Sequence, residues 1–429
     1  MLSITRTMVL LILALAAASM PVSAAEDKAP PDEKLIEQLG SSDFAQRERA
    51  ARMLQARGPA ALPALRKAKT HRDAEVRRRV LAMIPILETA AALAPKRVTL
   101  GREPRTLSAI LQEIEKQTGY RIDRDDKEDG RLFRIEMKGA SFWEAMERIG
   151  RETSRVVDTA PDKDGLRLNP RKARSPFVAL NGPFRLELGT IHEERDIDFT
   201  RPGKGKETGQ GSRRQTMAIL ILAEPRFILL DAGQASVQIA TDEEGKALRL
   251  PTPDKQPRST HTFSPFIHKD FKGTSEILLG GNSDTARKIE VLRGTIPVQM
   301  VVERKRIVLT ENVLKGKRAK CRVRKGPLEI TKVEQGDDGD LYIHLTVPVE
   351  SESIRRQWLD RIHLEDAKGH LFKTGGRGIE GIGRQTEQIF LTFSASKDPK
   401  ICPPSKLIVE DWATLDYAIP FEFKDVPLP

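Results

Sequence analysis

The sequence predicts a multidomain α+β chain that is mostly β-structure, and three observations support this prediction. The chain has 429 residues, whereas a single domain usually has about 100–200. Apolar residues follow helical spacing as far as residue 94, and from 96 to 172 they switch repeatedly between helical and alternating spacing. From residue 176 onward short alternating runs and turn residues predominate. We therefore expect four folded parts: residues 30–94, 96–172, 176–304 and 305–429.

Residues 1–24 have the features of a secretory signal peptide. Arg6 is the only charged side chain, residues 8–18 form an unbroken apolar run, and Val22-Ser23-Ala24 supplies the small residues of a cleavage site. The apolar run is shorter than the roughly 20 residues that cross a bilayer, and no later segment does better. We expect cleavage after Ala24, no transmembrane segment in the mature chain, and a periplasmic or extracellular location.

The charge balance limits the classes of partner. A net charge of +11 favours a polyanion, such as an acidic polysaccharide, an anionic lipid headgroup or nucleic acid. Nucleic acid is disfavoured, because aromatic residues make up only 5% of the chain and proteins that bind single strands need stacking surfaces.

Residues 30–94 contain an internal repeat of helical segments. Three positions recur in the same order: Asp43, Arg47 and Ala50 return as Asp73, Arg77 and Val80. Both aspartates stand where a helix N-cap is expected. The pattern resembles HEAT repeats, of which about one and a half units fit, whereas stacked repeats generally need about three. We expect this HEAT-like segment to lean on a neighbouring domain or to act as a short helical cap.

Residues 96–172 predict the order strand, helix, strand, strand, helix, strand, strand. Ser141 and Glu144 form a capping box at the start of the second helix, and a single strand is expected over 133–137. The order, particularly in residues 106–120 and 141–153, resembles the secretin and TonB short N-terminal domain. That resemblance implies a small αβ docking module of the periplasm and not an enzyme.

The remaining chain predicts two β-sandwich-like domains, since about 250 residues of short strands exceed one ordinary sandwich of about 100. Separate strands are expected at 289–292 and 298–302, and the break between the domains near Arg304-Lys305. The whole arrangement, with its ending at residues 419–429, resembles uncharacterised exported bacterial multidomain proteins. This resemblance implies an architecture and no activity.

Several motif-like patterns are better explained as turns. Gly376, Gly378 and Gly381 have the spacing of a dinucleotide-binding loop, but no helical pattern follows them, so we expect a hairpin loop. Three acidic runs lie between strand patterns and carry Gly or Asp-Gly, which favours hairpin turns over calcium sites. These runs are residues 242–245, 337–340 and 365–369.

No pattern predicts a metal ion, a cofactor or a catalytic centre. His261 and His268 flank an aromatic segment, but zinc sites need three or four ligands and no other ligand accompanies them. Signatures of activated nucleophiles are missing from the sequence. Cys321 and Cys402 either form one disulfide in an oxidising compartment or are two small buried residues in strands.

The sequence feature that most favours a ligand is a basic strand. Arg318, Lys320, Arg322 and Arg324 alternate with apolar residues, which in a strand would place all four cations on one face. Such a face would bind anions; alternatively it is a solvated face that protects the sheet from edge aggregation.

Three functions follow from these patterns. The first is a noncatalytic exported envelope protein that acts as a scaffold or interaction module for an envelope protein partner. The second is a binding protein for an acidic polymer, a glycan or a phosphate-rich chain, through the basic strand. The third is a hydrolase whose site is assembled from distant residues.

Overall fold

The computed structural model describes most of the chain from residue 30 onward. The described residues are 30–124, 130–159, 165–170, 175–198, 210–248, 271–280, 286–315, 318–336, 339–349, 358–383, 385–394 and 401–428. They form two compact units that divide between Ala92 and Leu93. The predicted signal peptide, His261, His268 and the first two residues of the second acidic run lie outside the described residues.

The first unit is helical, as predicted. It contains α1 (Asp32–Gln38), α2 (Phe44–Arg57), α3 (Leu62–Lys67) and α4 (Ala74–Ala92). The capping aspartates each accept a backbone N–H hydrogen bond, at 2.9 Å for Asp43 and 2.7 Å for Asp73. Arg47 and Arg77 each donate to a carbonyl of the preceding loop at 2.6 Å. The internal repeat is therefore confirmed at the level of local contacts.

The second unit begins with an αβ module. Its elements are β1 (Arg97–Leu100), β2 (Arg105–Thr106), α5 (Leu107–Thr118), β3 (Ile122–Arg124), β4 (Leu132–Phe133), β5 (Met137–Ser141), α6 (Phe142–Thr153), β6 (Arg155–Thr159) and β7 (Leu166–Pro170). The capping box of Ser141 and Glu144 is confirmed. The single strand expected over 133–137 is wrong: β4 pairs with β2, whereas β5 pairs with β1.

Three larger sheets follow. The first sheet has the order β13-β10-β9-β8, with β8 at Val178–Asn181, β9 at Phe184–Asp198, β10 at Gln210–Ala223 and β13 at Lys272–Gly280. The second has the order β11-β14-β21-β18, with β12 also on β14; these are β11 (Ile228–Ala232), β12 (Ser236–Asp242), β14 (Lys288–Thr310), β18 (Ile362–Asp366) and β21 (Pro404–Pro427). The third has the order β15-β16-β17-β20-β19, formed by β15 (Lys320–Val323), β16 (Gly326–Gln335), β17 (Leu341–Pro348), β19 (Thr374–Ile382) and β20 (Thr386–Phe393). A short helix, α7 (Trp358–Arg361), precedes β18.

The strands β14 and β21 form one long antiparallel ribbon. They pair from Lys288 opposite Pro427 to Thr310 opposite Leu407. The two strands expected at 289–292 and 298–302 are thus one strand. The domain break expected near Arg304-Lys305 is also wrong, because both residues lie inside β14. Residues 176–304 and 305–429 are therefore not consecutive independent bodies; the ribbon belongs to both.

The buried side chains explain why the ribbon is continuous. One core cluster joins the αβ module, the first sheet and one end of the ribbon, including Ile419 and Phe421. Another lies between the third sheet and the opposite end of the ribbon, including Leu407 and Val409. Each end of the ribbon supplies apolar side chains to a different core, and this burial stabilises the pairing along its whole length.

The glycines at residues 376, 378 and 381 lie in β19 and not in a hairpin loop, so that expectation is wrong. A Cβ added at Gly378 would collide with the ring of Phe390, its cross-strand partner. The glycine is needed here because the aromatic ring occupies the space above it.

We expect Gly378→Ala to lower the free energy of unfolding by about 1–3 kcal/mol, the usual effect of overpacking. Gly381→Ala is the matched control, because the nearest atom to its added Cβ would be 3.8 Å away. Urea unfolding of both variants tests this expectation, and equal stability of the two would contradict it.

Candidate functional site

The structure places only part of the predicted basic strand in a strand. Lys320 and Arg322 are exposed in β15, whereas Cys321 and Val323 are more buried, so the alternation is confirmed there. Arg318 has a φ of +70° and lies before the strand, and Arg324 lies in the turn that follows it. The expectation that all four cations share one strand face is wrong, because β15 is only four residues long.

Carboxylates compensate part of this charge. Lys320 Nζ lies 2.9 Å from Glu329 Oε2, and Arg324 Nη2 lies 2.6 Å from Glu303 Oε2. Arg322 is exposed and its cross-strand partner is Pro327, which carries no charge. Within β15, Arg322 is therefore the exposed cation that does not face a carboxylate across the strand pair.

The ribbon adds cations that the sequence analysis missed. Arg304, Lys305 and Arg306 are exposed on β14, directly after the Glu303 that binds Arg324. Lys305 pairs in register with Asp411, whose Oδ1 accepts a hydrogen bond from the Arg324 N–H at 3.0 Å. Lys305 lies two residues after Glu303 and therefore on the same strand face, so we call Lys305, Arg322 and Arg324 the basic surface. Only strand pairing brings β14 beside the turn after β15, so no local pattern could reveal this arrangement.

Behind the basic surface lies a buried arginine that sequence reasoning also missed. Arg361 of α7 is 1% exposed, with its guanidinium carbon 3.7 Å from the centre of the Trp358 ring and 5.0 Å from that of Trp412. Its Nε donates to the Glu410 carbonyl at 2.8 Å, and Nη2 lies 4.0 Å from Asp411 Oδ1. The arginine thus fills the space between two tryptophans and compensates a buried carboxylate.

Glu410 and His363 form the remaining part of this cluster. Glu410 is 7% exposed, and its Oε2 accepts a hydrogen bond from Trp412 Nε1 at 3.0 Å. His363 Nε2 lies 3.5 Å from Glu410 Oε1. An acid beside an imidazole could move a proton, but the hydrogen bond from Trp412 and the burial of its side chain give Glu410 a structural role first.

Two of the acidic runs form the hairpin turns that were expected. Gly245 and Gly369 have φ values of +77° and +88°, which is the reason for glycine at these positions. Asp366 is fully buried in the second turn; its Oδ2 accepts hydrogen bonds from Cys402 N–H at 2.9 Å and pairs with His370 Nδ1 at 2.8 Å. Burial opposes its ionisation, but these hydrogen bonds prevail and lower the pKa of Asp366.

We expect the Asp366 carboxylate to contribute stability above its ordinary pKa of 3.8 and to lose that contribution as the pH falls toward its lowered pKa in the folded state. Asp366→Asn should therefore flatten the loss of stability at acid pH. Thermal unfolding followed between about pH 7 and pH 2 measures this. If the stability of the variant falls as steeply at acid pH as that of the natural chain, Asp366 does not have the proposed role.

The αβ module is fixed to the sheets by a second buried network. Glu224, which is 0% exposed, accepts hydrogen bonds from Tyr120 Oη at 2.8 Å and from the Lys96 N–H at 2.9 Å. Trp143 Nε1 donates to the Pro183 carbonyl at 2.9 Å. Burial raises the pKa of Glu224, and burial together with the Glu224 charge raises the pKa of Tyr120. We call these contacts the module junction.

Metal binding, cysteine chemistry and membrane-spanning helices have less support than the basic surface and the module junction. In the part of the chain that the structure describes, no group of three or more His, Cys, Asp or Glu side chains could hold a metal ion. Cys321 and Cys402 are free thiols, and burial, with the Asp411 charge, raises the pKa of Cys321. Among the described helices, none combines the length and apolar character needed to cross a membrane.

Comparison with known proteins identifies no relative of this chain. No protein-family model, curated protein or solved structure matches this chain significantly.

Proposed function

We propose that this chain is a noncatalytic exported envelope protein that acts as an interaction scaffold. The observation that carries the proposal is the module junction, which attaches the αβ module to the first sheet through buried groups. A hydrogen-bonded Glu224, a buried Trp143 and the Arg185–Glu147 ion pair at 2.6 Å all contribute. Buried contacts of this kind favour one relative orientation, as a scaffold requires.

The αβ module presents a surface suited to a protein partner. On β4, Leu132 is 64% exposed, and the Arg131 guanidinium carbon lies 5.6 Å from the centre of the Phe133 ring. Arg102 and Arg134 are also exposed in this module. An exposed apolar side chain next to an arginine is typical of interface anchors, because the apolar group can be desolvated while the arginine provides hydrogen bonds. We propose the paired strands β2 and β4 as the docking element of the scaffold, consistent with the implied secretin-type module.

A crosslinking pulldown of the mature protein from envelope fractions tests this function. We expect one protein partner that survives high salt and that Leu132→Asp releases. Leu180→Asp is the matched control, since Leu180 is 37% exposed on β8 of the first sheet. Recovery that is unaffected by Leu132→Asp, or no recovery of protein at all, would refute the docking element.

The second candidate function is binding of an acidic polymer, a glycan or a phosphate-rich chain. The specific observation in its favour is that β14 adds Lys305 to the predicted cations, so that the basic surface spans two sheets. Binding through such a surface is electrostatic and weakens as salt rises. We also propose that the larger sheets form β-sandwich domains, that the helical unit is of HEAT type, and that the chain is periplasmic or extracellular.

Charge reversal at the basic surface tests polymer binding. Arg322→Glu with Lys305→Gln should abolish retention on a heparin column at low salt. Neither Lys305 nor Lys320 is reversed to Glu, because the new carboxylate would lie opposite Asp411 or Glu329 in the strand pairing. The control, Lys138→Glu with Lys116→Gln, changes net charge equally on the αβ module. Equal retention of both double variants would eliminate the basic surface as the contact.

A further inference from the structure

A cavity of about 360 Å³ opens between the first sheet and the end of the ribbon. Strands β9 and β10 form one wall, and the last residues of β21 form the other. Six apolar side chains line it; three are buried, Leu188, Met217 and Val426, and three are half-buried, Phe177, Ile191 and Leu428. All six belong to the core that joins the αβ module, the first sheet and this end of the ribbon. The cavity is therefore an extension of that core which the chain itself does not fill.

Its size and lining favour an apolar ligand. Protein interiors are close-packed, with few voids larger than a water molecule. This cavity has the volume of about twelve water molecules at ~30 Å³ each, and an ordered water needs two to four polar partners. Thr190 is the one polar side chain among the described residues that line the cavity. Ligand sites usually have about 300–1,000 Å³ and apolar walls with few polar groups.

A β-bulge in β9 shapes one wall of the cavity. Met217 pairs with Ile191 and Ile219 pairs with Leu188, so that Gly189 and Thr190 together lie opposite a single residue of β10. Both residues line the cavity. A bulge bends its strand and is over-represented beside functional sites. The opening between the sheets thus has a specific local cause in the strand pairing.

A cation lies beside this cavity. The Arg287 carbonyl accepts a hydrogen bond from the Leu428 N–H at 2.8 Å, which continues the register in which Ile289 faces Val426. Side chains alternate between the two faces of a sheet, so the exposed Arg287 lies on the same face as Leu428. Side chains directly opposite each other in such a pair have their Cβ atoms about 4.5–5.5 Å apart. Arg287 is therefore next to a residue that lines the cavity.

The other charged groups near Arg287 have partners. Lys288 Nζ lies 2.5 Å from Asp425 Oδ1, and Lys288 belongs to the opposite strand face. The Glu243 carboxylate accepts hydrogen bonds from the backbone N–H groups of Arg287, at 3.1 Å, and Lys288, at 3.4 Å. Among the described residues, no carboxylate forms an ion pair with the Arg287 guanidinium. This guanidinium can therefore bind an anion.

We propose that the cavity binds a single-chain amphiphile with an anionic head, as in a fatty acid. The chain lies among the six apolar side chains, and the carboxylate lies at the opening beside Arg287. Because methylene groups and water molecules are similar in size, the cavity takes a chain of about ten to twelve carbons. The site goes beyond the scaffold function and is separate from it, since the proposed docking element lies on β2 and β4.

Calorimetric titration of the mature protein with straight-chain carboxylates tests the cavity. Affinity should rise about three- to fourfold for each added methylene from hexanoate to decanoate, because each methylene becomes buried. It should level off beyond dodecanoate, when the cavity is full. No binding of decanoate at about 1 mM, or an affinity that is independent of chain length, would overturn the proposal.

A larger side chain in the cavity should compete with the ligand. Ile191→Trp should weaken decanoate binding about tenfold, the effect of about two methylene groups that no longer fit. Leu428→Trp fills the cavity from the other wall and should have the same effect. The control is Ile307→Trp, because Ile307 is also half-buried but packs against the core beside the third sheet. Circular dichroism melts show which variants are folded, and decanoate binding by a folded Ile191→Trp or Leu428→Trp that equals the control would overturn the site.

The head group is tested by comparing decanoate with decan-1-ol, which has the same chain and no charge. Arg287→Gln should weaken decanoate binding about two- to fivefold, as expected for an exposed ion pair, and should leave the binding of decan-1-ol unchanged. Arg304→Gln, at an exposed position on the same strand, is the control and should change neither. An unchanged affinity for decanoate, or an equal loss for the acid and the alcohol, would refute the placement of the anionic head beside Arg287.

Discussion

Replacing Arg361 by alanine should lower the free energy of unfolding by about 3–5 kcal/mol, the usual effect of removing one partner of a buried charge pair. The guanidinium is 1% exposed and lies between the rings of Trp358 and Trp412. Its loss leaves a cavity between the two rings and removes the donor to the Glu410 carbonyl. The buried Asp411 would also lose its nearby positive charge. These losses occur at one place, and little water can enter to compensate them.

Two further variants separate the causes. Arg361→Met keeps most of the volume and removes the charge, so it should retain the part of the stability that depends on packing between the tryptophans. Arg102→Ala is the control, because the Arg102 side chain is 77% exposed and pairs with Glu136, whose side chain is 52% exposed; we expect a loss of less than about 1 kcal/mol. Urea unfolding followed by circular dichroism measures all three. A loss for Arg361→Ala as small as that for Arg102→Ala would refute the assigned role.

Replacing Glu224 by alanine should lower the free energy of unfolding by about 3 kcal/mol, because one buried and one partly buried donor then lack their acceptor. These donors are the Tyr120 hydroxyl and the Lys96 N–H, and both belong to the αβ module or to the segment that leads into it. The variant should therefore loosen the module junction before it unfolds the sheets. Hydrogen exchange should rise first in α5 and α6. Tyr120→Phe removes one donor and keeps the acceptor, so its effect should be about 1 kcal/mol.

The pH dependence of this site follows from the raised pKa of Glu224. A carboxyl that holds its proton to a higher pH when folded makes the folded state bind more protons than the unfolded state. The contribution to stability is therefore largest below the ordinary value of 4.5 and decreases as the pH rises from there to the raised pKa. The side chain in Glu224→Gln cannot titrate. The stability of the natural chain relative to this variant should therefore decrease as the pH rises over that range. A difference that is independent of pH would contradict the assignment.

Local patterns predicted the elements whose stability is mainly local. The N-caps at Asp43 and Asp73 and the capping box at Ser141 are confirmed, because each depends on residues within one turn of helix. The turns at Gly245 and Gly369 are confirmed for the same reason, since a positive φ is a property of a single residue. The mostly β character of the second unit followed from short alternating runs of side chains.

Patterns alone did not predict contacts between distant parts of the chain. One strand looked like two because Gly294 and Pro297 interrupt the strand pattern between residues 292 and 298, although both residues pair with β21. A bulge near residue 302 lies just before the expected domain boundary. The glycines of β19 looked like a loop, because the ring of Phe390 that requires them lies on another strand.

By itself the sequence determined the helical repeat, the two helices of the αβ module, the turns at Gly245 and Gly369 and the excess of positive charge. Only the tertiary structure decided where that charge is located, because strand pairing brings Lys305 of β14 beside the turn that holds Arg324. It also decided that Arg361 and Glu224 are buried, since each is covered by side chains far away in the chain. Spacing along a chain specifies which face a residue occupies, whereas burial depends on which other face packs against it.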